Sequence, residues 1–310
     1  MMIKKNALEL IGNTPLIELS KIHKGLGKIF VKAEFLQPGG SIKDRAAKKI
    51  IELAYKNGEL KKGQLVVEMT SGNMGAGLAI VCNFLGNPLI AVMSEGNSPE
   101  RAKMLKNMAA EIIFTKQVEG TPGKVTGKDI KVATEKAKEI AADRNAFYVD
   151  QFNNDGSVLA HYEGTGPEIW QSLNGEFDAF VSSVGSGGTF TGCSGYFKSQ
   201  NKNILCAVVE PEGCEILANK EITKSEHLLQ GTGYSLIPPH WDNSITDVYL
   251  SVSDKEAIEY KNLLAEKEGL YVGYSSAANV CAAIKLLKSE NIENPDPKIV
   301  TILCDTGLKY

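Results

Sequence analysis

The chain has 310 residues, 34 lysines and arginines against 37 aspartates and glutamates for a net charge of −3, with 43% hydrophobic and 23% charged residues. That balance excludes intrinsic disorder and collagen-like structure, and at roughly 100 to 200 residues per domain the length predicts two lobes, each burying its own core. Charges of both signs are scattered along the chain, so no basic stripe offers itself to nucleic acid. No run approaches the ~18 apolar residues of a membrane span, and no signal-like stretch follows the N-terminal lysines. The expectation is a cytoplasmic protein that acts on small molecules.

In chain order, a helical pattern at 46–55 leads into short β-branched runs alternating with helices. A strand is predicted at 64–69, a helix at 75–85, a strand at 88–93, a helix at 99–109 and a strand at 111–115. The stretch 116–128, rich in Gly, Lys and Thr, reads as a mobile surface loop or insertion. The pattern then repeats with a strand at 177–184, a glycine-rich turn, a helix to about residue 200, a strand at 204–210 and a last strand at 298–304. Such βαβα alternation predicts an α/β protein of two doubly wound lobes around mainly parallel sheets. The six cysteines form no Cys-x-x-Cys pair and read as reduced core thiols. The four histidines, far apart in sequence, give no metal-ligand spacing and are assigned surface or core roles.

Three segments can carry chemistry. Gly185-Ser186-Gly187-Gly188-Thr189 follows an apolar strand and opens a helix, where freed backbone N–H groups converge on an anion. It lacks a P-loop lysine and the third glycine of a dinucleotide fingerprint, and it equally fits a tight turn with no ligand. Lys43, in Pro38-Gly39-Gly40-Ser41-Ile42-Lys43-Asp44-Arg45, stands at a helix start, where the dipole and Arg45 disfavour a second positive charge and so suit amine chemistry. An exposed lysine on a charged helix reads the same way. Thr70-Ser71-Gly72-Asn73-Met74-Gly75 lies between a strand and a helix; its hydroxyls, amide and N–H groups suit a small carboxylate, and they serve equally as helix caps.

Together with Ile11-Gly12-Asn13-Thr14-Pro15-Leu16, Gln151-Phe152, Thr165-Gly166-Pro167-Glu168-Ile169 and Gly273-Tyr274-Ser275-Ser276, these segments resemble the cysteine synthase and cystathionine β-synthase family of fold-type-II pyridoxal phosphate (PLP) enzymes over nearly the whole chain. The resemblance implies a tryptophan synthase β-like fold with a smaller, mobile, substrate-gripping domain at 37–147 and a larger cofactor-binding domain at 1–36 and 148–310. It implies the catalytic core alone, without a heme-binding leader or regulatory module. Lys43 is then the catalytic residue, holding PLP covalently and moving the substrate Cα proton. Asn73 bonds the pyridine 3′-oxygen, Gly185, Ser186, Gly187, Gly188 and Thr189 hold the phosphate, and Ser275 faces the pyridine nitrogen. Thr70, Ser71, Asn73, Met74, Gln151, Gly231 and Tyr234 are the implied substrate residues, and a homodimer is the implied assembly.

The sequence departs from the family pattern at Met74, where a second threonine is usual. At Gln230-Gly231-Thr232-Gly233-Tyr234-Ser235, Tyr234 resembles the cystathionine synthase branch but Ser235 replaces its Asp; Ala277 replaces a glycine after the two serines. The expected reaction is β-replacement on a 3-substituted L-alanine through an aminoacrylate. The thioether of Met74, which reads equally as a packing substitution, and the ring of Tyr234 point to L-cysteine as donor, with hydrogen sulfide released and a thioether such as lanthionine formed. Cysteine synthesis from O-acetylserine and sulfide is the alternative, followed by β-elimination to pyruvate and ammonia. A cofactor-binding homologue that only partners another protein is a further possibility, against which Lys43 and the intact glycine loop speak.

Overall fold

The structure, a computed structural model, describes residues 3–70, 72–119, 121 and 125–310. It divides into two compact units, one of Met1–Gly12 and Gln37–Ala160, the other of Asn13–Leu36 and His161–Tyr310. The chain returns to the second unit at 160/161, beyond the expected 147/148, because the strand at 147–148 is paired within the first unit and the helix after it packs against that unit's first helix. The N-terminal residues through Gly12 also group with the first unit.

The strands in chain order are β1 Leu16–Leu19, β2 Lys28–Ala33, β3 Val66–Met69, β4 Leu89–Ser94, β5 Glu111–Thr115, β6 Phe147–Tyr148, β7 Ala179–Ser183, β8 Leu205–Pro211, β9 Val248–Val252 and β10 Lys298–Leu303. The helices are α1 Lys43–Asn57, α2 Asn73–Leu85, α3 Pro99–Asn107, α4 Gly127–Asp143, α5 Gly156–Ala160, α6 Gly166–Ser172, α7 Gly188–Gln200, α8 Asp254–Leu263 and α9 Tyr274–Leu287.

In the first unit the sheet runs β5-β4-β3-β6, all parallel. Its side chains alternate between two cores, as a period of two requires. Val66, Leu89, Ala91 and Met93 join Ala46, Ile50 and Ile51 of α1 and Leu78, Ala79 and Cys82 of α2. Val67, Met69, Ile90 and Val92 join Ala133, Ala137 and Ile140 of α4. Both faces are therefore covered, which is why these strands read as unbroken apolar runs. Of the expected loop at 116–128, residues 120 and 122–124 lie outside the described residues, and 127–128 already belong to α4, whose start is fixed by a capping box of Thr126 and Asp129; Asp129 also accepts N–H bonds from Val118 and Glu119.

In the second unit the sheet runs β1-β2-β10-β7-β8-β9, with only β1 antiparallel to its neighbour. One face, including Ile29, Val31, Val181, Val209 and Ile299, packs on α9. On the other, Phe180 meets Phe190 and Phe197 of α7, and Phe197 in turn meets Phe177, which packs edge-on to Trp170. Among the described residues, no helix is long and apolar enough to cross a membrane.

Candidate active site

In the first unit, Lys43 is the first residue of α1, half-buried, with its N–H donated to Ser41 Oγ at 3.3 Å. The next residue, Asp44, is fully buried and accepts the N–H of Gly39, which fastens the Pro38-Gly39-Gly40 turn to the helix. Helix α2 crosses α1 at Gly77: a Cβ there would lie 3.0 Å from Cα of Asp44 and 3.1 Å from the carbonyl oxygen of Lys43. That close approach brings the first turn of α2, and with it Asn73, beside the start of α1.

Thr70 ends the run from β3 and is 2% exposed; its Oγ1 accepts the N–H groups of Gly75 at 2.9 Å and Gly72 at 3.3 Å. It caps α2, so the ordinary capping role weighed for this segment is realised at Thr70, whose hydroxyl proton stays available to a further acceptor. Ser71 lies outside the described residues. Met74, 2% exposed, belongs to the apolar core of α1 and α2. Its thioether fills space there, which weakens the expectation that it selects substrate.

Gln151 is 8% exposed, and its amide Nε2 donates to Glu68 Oε1 at 3.0 Å and to the Met69 carbonyl at 3.3 Å. Both bonds hold Gln151 against the end of β3, directly before Thr70. Glu68 is 1% exposed. Burial pushes its carboxyl up to about 8, with the charge of Asp150 adding to the rise and the bonds from Gln151 opposing it. Among the described residues, its Oε2 has no hydrogen-bond partner.

In the second unit, the glycine loop leaves the end of β7 and enters α7. Gly187 has φ +91, a left-handed conformation that side chains rarely adopt. A Cβ on Gly185 would sit 2.2 Å from the carbonyl oxygen of Gly231 and 3.9 Å from Cε2 of Tyr234. The 231–234 segment therefore lies directly on the loop. Ser235 follows at φ +57, its hydroxyl 3.2 Å from the buried Cys214 thiol. The N–H groups of the first α7 turn have no intrahelical acceptors, so the loop offers donors where side chains are absent. Ser275, 5% exposed, is the second residue of α9. The adjacent Ser276 Oγ accepts the N–H groups of Cys304 and Asp305, and Asn279 accepts the N–H of Ser183 while donating to the Ile302 carbonyl. One helix is thereby tied to the ends of both β7 and β10.

A Pyridoxal-phosphate dependent enzyme family model matches residues 7–305. The chain belongs to that family. Cysteine synthase A of Escherichia coli is 38% identical over 308 residues, covering 97% of this chain and 91% of that protein. A hydrogen sulfide-producing enzyme from Fusobacterium nucleatum superposes with a TM-score of 0.91 at 34% identity, covering 100% of this chain and 99% of its own. The O-acetylserine dependent cystathionine beta-synthase from Helicobacter pylori superposes with a TM-score of 0.90 at 33% identity, covering 100% and 98%. The fold is accordingly that of the fold-type-II PLP enzymes, and the protein is a PLP-dependent enzyme of the cysteine synthase family.

PLP needs an amine for its aldehyde, donors for a phosphate dianion and a partner for its ring nitrogen. The residues present fit these needs. The first turn of α1 supplies an amine in Lys43. The loop at 185–189 brings the backbone N–H groups of the α7 start together, with no room for a Cβ at Gly185. Ser275 supplies a buried neutral hydroxyl.

Other residues around these segments escaped the sequence reading. Glu68 interrupts an apolar strand, and a carboxylate within such a run was the signal available. His161, assigned a default role, has Nδ1 2.9 Å from Thr165 Oγ1 and Nε2 3.2 Å from Thr189 Oγ1, beside the glycine loop. Lys32, 1% exposed, pairs with Glu168 at 2.7 Å and donates to the Thr14 carbonyl at 2.5 Å, while Thr14 Oγ1 donates to Glu34 at 2.6 Å. Two segments of the family pattern, Asn13-Thr14 and Gly166-Pro167-Glu168, are thus joined through the buried Lys32 amine.

Proposed function

We propose that this enzyme carries out β-replacement on L-cysteine, with sulfide as leaving group and a second thiol as nucleophile, giving a thioether such as lanthionine. In this reading Lys43 binds PLP through its amine and moves the proton at the substrate Cα. Asn73 bonds the pyridine 3′-oxygen, Gly185, Ser186, Gly187, Gly188 and Thr189 hold the phosphate, and Ser275 faces the ring nitrogen. Thr70, Ser71, Asn73, Gln151 and Gly231 receive the amino acid. PLP, when bound, supplies the electron-accepting ring that stabilises charge at Cα. A neutral hydroxyl opposite the nitrogen leaves that ring a modest electron sink, which favours loss of a Cβ substituent over transamination.

The observation that carries the donor choice is Tyr234, whose ring borders the phosphate loop at Gly185. An aromatic face there suits a polarizable sulfur substituent. Ser235 supports thiol addition over hydrolysis to serine, because its hydroxyl is engaged with Cys214 and no carboxylate stands at that position to activate water. The likeness to the sulfide-producing enzyme of F. nucleatum is in keeping with this choice. Cysteine synthesis from O-acetylserine and sulfide is the second reading, favoured by the core position of Met74 and by the likeness to E. coli cysteine synthase A.

Incubation with L-cysteine alone, and separately with O-acetylserine plus sulfide, distinguishes the two by product mass and kcat/KM. Sulfide and thioether from cysteine support the proposal. Efficient cysteine formation from O-acetylserine beside negligible sulfide from cysteine overturns it, and pyruvate as main product assigns a lyase. The family resemblance also supports a homodimer, which light scattering on the eluted protein tests.

A further inference from the structure

His161 opens a π-helical turn, His161–Thr165, ahead of α6. Turns of this type recur where a side chain must be aimed. The ring is 2% exposed, and Thr165 is fully buried. Each ring nitrogen meets a threonine hydroxyl: Nδ1 lies 2.9 Å from Thr165 Oγ1, and Nε2 lies 3.2 Å from Thr189 Oγ1. Thr189 is the second residue of α7 and the last of the glycine loop.

A hydroxyl has one proton and a neutral imidazole has one N–H, so this chain of three groups has a direction. If Nδ1 carries the ring proton, Nε2 accepts the proton of Thr189 and turns only lone pairs of that hydroxyl toward the loop. If Nε2 carries it, Thr189 Oγ1 accepts from the ring and its own proton is free to be donated outward. A phosphate dianion accepts and does not donate, so only the second arrangement lets Thr189 add its hydroxyl to the backbone donors. We infer that His161 is a positioning residue that, through an Nε2–H bond, turns the Thr189 hydroxyl proton toward an acceptor-only tetrahedral oxyanion, the cofactor phosphate, with Thr165 donating to Nδ1. The inference rests on the reading of 185–189 as the phosphate loop.

The test is a cycle of His161→Asn, Thr189→Val and the double variant in the full-length holoenzyme. PLP affinity is read by equilibrium dialysis, and folding is checked by circular dichroism and melting. His161→Asn is expected to weaken PLP binding about tenfold, the size of one misdirected hydrogen bond to a charged group, and Thr189→Val at least as much. The double variant is expected to match Thr189→Val alone, since His161 acts only through that hydroxyl. His161→Gln, whose amide nitrogen can reach the place of Nε2, is expected to restore most of the affinity. Additive losses, or no loss in His161→Asn, overturn the inference. No loss in Thr189→Val instead overturns the assignment of the loop. Nitrogen NMR of histidine-labelled holoenzyme gives an independent reading: an Nε2–H tautomer is expected at His161, and an Nδ1–H tautomer refutes the proposed direction.

Discussion

The substitution Glu68→Gln should change how the stability of this enzyme responds to pH. Glu68 is 1% exposed on β3, and its carboxyl is pushed from an ordinary 4.5 up to about 8, because burial penalises the charged form and Asp150 stands nearby. Between those values the folded protein keeps a proton that the unfolded chain has released. Stability therefore falls as pH rises through the window, by at most about 1.4 kcal/mol per pH unit. From about pH 5 to about pH 7 the wild type should lose roughly 2 to 3 kcal/mol through this group alone. A glutamine amide in its place does not titrate and can still accept from Gln151 Nε2, so the variant should escape that loss. At about pH 5 it should be no more stable than wild type, since the protonated carboxyl and the amide are both neutral there, and its advantage should then grow with pH. Urea midpoints of both proteins across that range, with PLP content held equal, provide the measurement. A difference between variant and wild type that stays constant with pH would refute the assignment of a neutral Glu68.

Lys43→Ala should abolish β-replacement and remove the cofactor mass otherwise trapped on the chain by borohydride, while the circular dichroism spectrum stays native; turnover near the wild-type rate would exclude Lys43. Gly185→Ala puts a Cβ 2.2 Å from the Gly231 carbonyl, against backbone that cannot swing aside as a side chain would. It should lower PLP retention on dialysis by more than tenfold, and cost about 1 to 3 kcal/mol of apo-protein stability as the 231 backbone is displaced. Lys32→Met takes from the partly exposed Glu168 its 2.7 Å ion-pair partner, and should destabilise the protein by about 1 to 3 kcal/mol in thermal or urea melts; Lys32→Met with Glu168→Leu should recover part of that loss.

The parallel strands were legible because each is covered on both faces and so carries an uninterrupted apolar run, as in Val66-Val67 and Leu89-Ile90-Ala91-Val92. β2 was missed for a related reason: Lys32 interrupts it, and its place in the core depends on Glu168, more than a hundred residues distant in sequence. β6 has only two residues, held by pairing with β3, and no local pattern can announce it. β9 was likewise passed over, its Tyr249 and Ser251 breaking the apolar run. Among site residues, Lys43 was placed correctly at a helix start, and the glycine loop at a strand-to-helix turn. Met74 reads two ways in sequence, since a thioether at the first turn of a helix carries no mark of which way it points, and its place in the core favours the packing reading. Glu68 and His161 act through partners far along the chain, Gln151 and Thr189, so their roles are tertiary.

The single amide of Asn279 has a consequence for how such an enzyme can diversify. By accepting from β7 and donating to β10 while standing one turn beyond Ser275, it locks Ser275 and the root of the 185–189 loop into one frame. The segment at 231–235 rests on that frame through Gly231 and Tyr234 and is tied to it through the backbone, the Gly233 N–H donating to the Val184 carbonyl at 3.3 Å, a bond that a change of side chain at 234 or 235 leaves in place. Under the proposed assignment of these residues, changes of nucleophile or leaving group can therefore accumulate in 231–235 as substitutions on a chassis that keeps the cofactor's position constant. A mutation at Asn279 would disturb every chemistry the scaffold supports at once. Lineages that explore new thiol donors are thus expected to vary Tyr234 and Ser235 first, and directed libraries built on this chain should begin there.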